Sequence, residues 1–363
     1  MNGKMNLRNG HIDYPDALRA VACLAVVMLH VSAANTYNVD FLSREYHVFM
    51  AYESAVNWAV PVFVMISGAL LLNREYDYKS ISGRCGRLAL IFLAWSLLYL
   101  GFDLLVYGPE TYKDMLWLQV LLQGHYHMWY LIMLAGLYLL VPILKVIADR
   151  TEFRKAFIAL SLIFAFALPA VRDLALLSGA GKVLQVPLFG ALFNALKNVH
   201  DDLNFHFTVG YAAYFVIGSA LARSVKPEGY RALGTGIALA AAGTVLTYLE
   251  IRSTASKEAA ARFLLYYQPG VFLQACGVFL ALKGLSGSGI VTGLSKLSPV
   301  TFGIYMVHPM IIEGLQKMNL SSLSFNPFVS VPVLSLGIFA VSGAAAYLLK
   351  LTPLRRIMKI GGK

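Results

Sequence analysis

The chain is a succession of apolar stretches, each long enough to cross a lipid bilayer, and this limits what it can fold into more than any other feature. A helix that crosses the hydrocarbon core needs about 20 mostly apolar residues. Such runs occur near residues 16–34, 48–72, 88–107, 128–147, 156–177, 205–222, 232–250, 263–283, 299–316 and 328–350. Inside lipid every backbone N–H and C=O must be satisfied by the protein itself, which leaves helices and closed barrels as the spanning forms. No segment alternates apolar and polar residues as a barrel strand would, so the expected fold is an all-α integral membrane protein with about ten transmembrane helices. Only 13% of the 363 residues are charged. A soluble domain is about a quarter charged, so there are too few charges here to clothe a water-facing exterior.

Orientation is read from the basic residues, which are retained on the cytoplasmic side. With the N-terminus inside, roughly two-thirds of the 30 Lys and Arg fall in inside segments. These include Lys4, Arg8 and Arg19, the group Arg74, Lys79, Arg84 and Arg87, and Lys226, Arg355, Arg356, Lys359 and Lys363. Both termini are therefore expected in the cytoplasm. The net charge of +11 reads as topology, with membrane lipid as the partner and no nucleic acid. The one long outside loop, 178–204, carries Lys182, Lys197, Asp201 and Asp202. Residues 1–363 are expected to form a single membrane-embedded domain with no appended soluble domain. Val31-Ser32-Ala33 resembles a leader cleavage site, but Asp13, Asp16 and Arg19 crowd the segment, so a retained first helix is expected. The three cysteines, Cys23, Cys85 and Cys276, have no metal or disulfide spacing and read as packing residues.

Ionisable residues inside spans are expensive and mark candidate sites. In the first run, DALRAVACLAVVMLHV, Arg19 and His30 are eleven residues apart. They share a helix face about 16 Å apart along the axis, with Asp16 one turn before Arg19 to hold its guanidinium. That stripe suggests a hydrated cavity; a snorkelling arginine with an interfacial histidine is the plainer alternative. Arg84 and Arg87 obey the positive-inside rule, and paired guanidiniums also suit phosphate groups. His125 and His127 precede Trp129 and Tyr130, which could stack on a sugar ring or simply anchor the interface. The H-x-H pair invites a metal, but no third ligand is identifiable and none is expected. His308 is either a packing histidine bonded to a backbone carbonyl or part of the cavity. Glu53, Asp103 and Glu313 sit near outer helix ends and are expected to be solvated.

These residues also carry a resemblance. The Arg19-to-His30 spacing, VPVFVMISGALLL at 60–72, HMWYLIMLAGLYLLVPIL at 127–144, FGIYMVHPMIIE at 302–313 and a basic loop with Arg84-Cys85-Gly86-Arg87 together resemble the acyltransferase 3 family. The similarity runs over essentially the whole length. It is nearest to the stand-alone branch that includes the enterobacterial common antigen O-acetyltransferase; Ala20 stands where many members have Gly. The resemblance implies a bacterial cytoplasmic (inner) membrane enzyme. Its reaction would move an acetyl group from cytoplasmic acetyl-coenzyme A to a hydroxyl of a cell-surface polysaccharide or lipid-linked glycan, with no metal. On that footing His30 is the expected base or transient acyl carrier, Arg19 its electrostatic partner, and Arg84 and Arg87 the coenzyme A phosphate ligands. Ser67, His127, Trp129, Tyr305 and His308 are expected to line the acceptor side. The rival class is a transporter or flippase that performs no chemistry, and the sequence leaves oligomeric state open.

Overall fold

The computed structural model describes residues 13–75, 78–177, 206–224 and 229–352. The expected 178–204 loop lies outside the described residues, as do Lys4, Arg8, Lys226, Arg355, Arg356, Lys359 and Lys363. The described residues are helical, with no strand among them. In order, the helices are α1 (Tyr14–Ala33), α2 (Arg44–Val56), α3 (Ala59–Leu71), α4 (Tyr78–Tyr107), α5 (Trp117–Gln123), α6 (Trp129–Asp149), α7 (Thr151–Ser161) and α8 (Leu168–Leu177). They continue as α9 (His206–Ser224), α10 (Gly229–Arg252), α11 (Lys257–Arg262), α12 (Pro269–Gly284), α13 (Gly289–Ser295), α14 (Ser298–Lys317) and α15 (Pro327–Lys350).

Seven segments among the described residues are long and apolar enough to cross a membrane, or eight if α12 and α13, bent by 112°, count as one broken span. The exterior suits lipid: Leu90, Leu97, Leu139, Ile143, Val245, Leu249 and Leu336 are exposed. The runs expected at 205–222 and 299–316 are α9 and α14, helices of 19 and 20 residues.

Three expected runs are interrupted, each for an identifiable reason. The run at 48–72 divides between α2 and α3. There the Asn57 amide donates to the Leu264 carbonyl, and the Trp58 indole donates to the Ala55 carbonyl at 2.8 Å. The run at 263–283 becomes helical only at Pro269, whose ring is tolerated in a first turn where no intrahelical N–H bond is needed. Between α7 and α8 a π-helical segment spans Leu162–Ala167, just before Pro169. Proline removes a ladder hydrogen bond, and a π-bulge is one way a helix absorbs the misfit.

Helix α1 is the centre of the packing. It touches α2, α3, α12, α13, α14 and α15 and buries Ala17, Leu18, Ala22 and Val27 completely. Elsewhere helices approach closely through glycine. Gly236 and Gly243 of α10 lie against Gly277 and Gly270 of α12, and Gly68 of α3 lies against α9. Without a hydrophobic force between helices in lipid, such small-residue contacts supply the packing. A Cβ at Gly68 would fall 1.8 Å from the Phe215 carbonyl oxygen. Gly68→Ala is therefore expected to force α3 from α9 and cost about 1–3 kcal/mol. A lower unfolding temperature of the purified variant in detergent checks this; an unchanged one contradicts the close contact.

Candidate active site

Helices α1, α4 and α14 run in the same direction. Ser298 at the start of α14 donates to Asp16 at the start of α1 (2.6 Å), and His308 further along meets His30. The Tyr99 hydroxyl of α4 donates to the Met306 carbonyl of α14 (2.8 Å). The three helices therefore begin at one end of the bundle, where Arg19, Arg84 and Arg87 lie, and carry His30, Tyr305 and His308 toward the other.

Between them is a cavity of about 1020 Å³. Arg19, His30, Ser67, Arg84, Arg87, His127, Trp129 and Tyr305 all line it. His308 does not; it is fully buried behind His30. Arg84 and Arg87, expected near the start of a span and in a basic loop, lie within α4, about one turn apart. Arg19 is ion-paired with Asp16. The Ser67 hydroxyl donates to the Phe63 carbonyl (3.0 Å) and the Tyr305 hydroxyl to the His127 carbonyl (2.6 Å). Trp129 stacks on Tyr266, with centroids 6.0 Å apart.

Tyr130, expected as a sugar-stacking or interface aromatic, lines the cavity as well, and so do Arg74, Lys350 and Tyr266, which the sequence did not single out as lining it. Arg74 and Lys350 were visible only as inside-facing charges. Tyr266 falls in a turn with no motif around it, and nothing local to the sequence pointed to it.

The two alternatives for His308 turn out to be compatible. Its Nδ1 faces the Ile304 carbonyl oxygen at 3.1 Å, and its Nε2 faces Nδ1 of His30 at 2.7 Å. A carbonyl only accepts, so a neutral His308 carries its proton on Nδ1 and accepts at Nε2. His30 must then donate from Nδ1, which leaves the lone pair on its Nε2. The packing histidine thus fixes the tautomer of the histidine that lines the cavity. The rings lie nearly parallel, 4.9 Å apart.

A second cavity, about 390 Å³, lies beside the first and is lined by Asp103, His125, Tyr126 and Glu313. His125 Nε2 is 2.9 Å from a Glu313 oxygen. Tyr107 donates to Glu313 (3.1 Å), and Tyr112 donates to Asp103. The expectation that Glu53, Asp103 and Glu313 are solvated is overturned for Glu53 and Asp103, while Glu313 is only partly covered. Glu53 and Asp103 are each 6% exposed and the Glu313 side chain 14%, because neighbouring helices close over them. Asp103, His125 and Glu313 each offer a ligand atom within 4.8 Å of one another. The partners that the sequence could not find for the H-x-H pair therefore come from α4 and α14, and they serve His125 rather than His127.

Comparison with known families decides what kind of protein carries this cavity. The acyltransferase domain model of the acyltransferase 3 family matches residues 12–347. The chain belongs to the acyltransferase 3 family. No curated protein and no solved structure matches it. As a member it is a multi-pass membrane acyltransferase.

The role of His308 in this acyltransferase is open to test. H308L removes the acceptor that orients His30 and is expected to slow acyl transfer by about tenfold to a hundredfold, part of what acid–base catalysis typically supplies. H308Q, whose amide oxygen can accept the same hydrogen bond, should recover much of the rate. Equal rates for both variants would show that the His30–His308 bond is not used.

Proposed function

We propose that this acyltransferase is an O-acetyltransferase of the bacterial inner membrane, taking acetyl groups from cytoplasmic acetyl-coenzyme A to a hydroxyl of a surface polysaccharide or lipid-linked sugar. The observation that carries this reading is a single cavity with guanidiniums near the helix starts and an oriented imidazole near the far end of α1. A phosphate-bearing thioester and a neutral hydroxyl need that pairing of groups. The topology that goes with it has about ten spans and both termini cytoplasmic, which puts the starts of α1 and α4 on the side where coenzyme A is found. Residues 1–363 act as one catalytic domain.

Arg84 and Arg87 hold donor phosphates, since forked guanidiniums bind phosphate oxygens in pairs; Arg74 and Lys350 add charge to the same cavity. The thioester then reaches toward His30. A sugar hydroxyl is a poor nucleophile near neutrality, and the bare Nε2 of His30 takes its proton as the oxygen attacks the thioester carbonyl. Arg19 balances the negative charge that develops on the donor. Trp129 and Tyr266 offer faces to the sugar ring, and Ser67, His127 and Tyr305 shape the space around it.

The purified protein incubated with radiolabelled acetyl-coenzyme A and a membrane glycolipid extract should release free coenzyme A and label lipid. H30A should lower this rate by about 10²- to 10⁴-fold while coenzyme A still binds. R84A with R87A should instead weaken donor affinity, with a loss of salt dependence. Full activity of H30A would sink the base assignment, and transport of unmodified glycolipid without label would favour a permeation role.

A further inference from the structure

The second cavity lies toward the end of the bundle away from the arginines. Glu313 is five positions beyond His308 on α14, about 7–8 Å further along the axis, and Asp103 is four positions beyond Tyr99 on α4. One side chain stands between the two cavities. The Tyr126 ring meets the His30 ring edge-on, with centroids 5.3 Å apart. Tyr126 lines the second cavity but not the first, and His30 the first but not the second. Tyr99, Tyr107 and Tyr112 line the second cavity too, and each hydroxyl is tied to a carbonyl or a carboxylate. The Tyr126 side chain, on a residue 55% exposed, meets its neighbours among the described residues through ring contacts alone.

The linings sort the two substrates by charge. The first cavity carries Arg19, Arg74, Arg84, Arg87 and Lys350. The second carries Asp103 and Glu313, with no Lys or Arg among its described lining residues. A phosphate-bearing donor is drawn to the first and repelled by the second. Sugar hydroxyls suit the second, because carboxylate oxygens are acceptors with two lone pairs each. Tyr107, Tyr112 and His125 therefore leave accepting capacity for a ligand. The tyrosine rings add apolar faces with polar tips, the kind of surface on which a sugar ring packs. Its volume of about 390 Å³ falls in the range of small-molecule sites, about 300–1,000 Å³.

Resting on the reading of His30 as base for a sugar hydroxyl, we propose that the second cavity is the acceptor's binding site, that it takes an uncharged sugar, and that Tyr126 is the partition whose displacement brings that sugar's hydroxyl to His30. Donor and acceptor then approach the imidazole from opposite ends of the bundle. Trp129 and Tyr266 face the part of the acceptor that has passed into the first cavity. With no acceptor bound, the Tyr126 ring screens the thioester from water in the second cavity. A sugar bearing a carboxylate or phosphate is turned away by Asp103 and Glu313, so the site selects its acceptor by charge as well as by shape.

The rival occupant is a divalent cation held by Asp103, His125 and Glu313. To separate the two, the purified protein in nanodiscs is assayed with saturating radiolabelled acetyl-coenzyme A and increasing amounts of membrane glycolipid extract. Release of coenzyme A without extract, coenzyme A binding and bound metal are measured alongside. D103N is expected to raise the half-saturating amount of extract about fivefold to tenfold, the effect of one weakened hydrogen bond to a charged group, with donor binding unchanged. Y107F, which removes a single hydroxyl beside Glu313, should shift the same quantity in the same direction. Y126A should release more coenzyme A without extract, as water reaches the thioester and forms acetate. Y126W should slow transfer to the extract at unchanged KM for the donor. Normal acceptor saturation in both D103N and Y107F overturns the binding site, and so does a stoichiometric metal in the unsubstituted protein that D103N loses. Unaltered behaviour of both Tyr126 variants overturns the partition. If H30A is fully active, the base assignment itself has failed; if H30A is inactive and these variants match the unsubstituted protein, only the acceptor site has.

Discussion

Charge is expensive in hydrocarbon, and the packing of this protein follows from that cost. A charged side chain at mid-membrane costs several kcal/mol unless it is paired or hydrated. Helix α1 carries Arg19 and His30 on one face within an otherwise apolar sequence. Six other helices pack against it, so the polar face looks into a cavity while leucine and isoleucine side chains elsewhere lie on the exterior. Asp16 pairs with the guanidinium and His308 with the imidazole, which covers the cost of both groups with partners rather than with bulk water.

The same accounting extends to the neighbouring helices. Glu53 bonds with Thr36 (2.8 Å), Asp103 with Tyr112, and Glu313 with Tyr107 and His125. These three carboxylates each have a side-chain partner nine or more positions away in the chain. Buried polar groups also occur where helices only pack: Thr247 of α10 and Gln274 of α12 lie among the glycine contacts of those two helices.

The helices were legible because twenty apolar residues have few other ways to fold, and the alignment of Arg19 with His30 was legible because helical periodicity fixes it. What could not be read was whatever depended on distant partners. The break at Asn57 follows from a carbonyl 207 positions away. The burial of Asp103 and Glu313 depends on α4 and α14 meeting, so each looked like an ordinary helix-end carboxylate in isolation. His308 presented two alternatives because its two ring nitrogens answer to different elements. Tyr266 lacks any local signature, and only the folded chain sets it against Trp129.

Helix α1 is continuous from Tyr14 to Ala33, and this gives the cavity a built-in length gauge. With a rise of 1.5 Å per residue, the eleven positions from Arg19 to His30 set the two backbone attachment points about 16 Å apart along the helix axis. If the anionic part of a donor is gripped near the arginines, its acyl group must extend along most of that length to be attacked. A long, flexible carrier satisfies the gauge. A compact acyl phosphate, gripped in the same place, leaves its carbonyl well short of His30, so discrimination between activated acyl compounds can rest on reach alone.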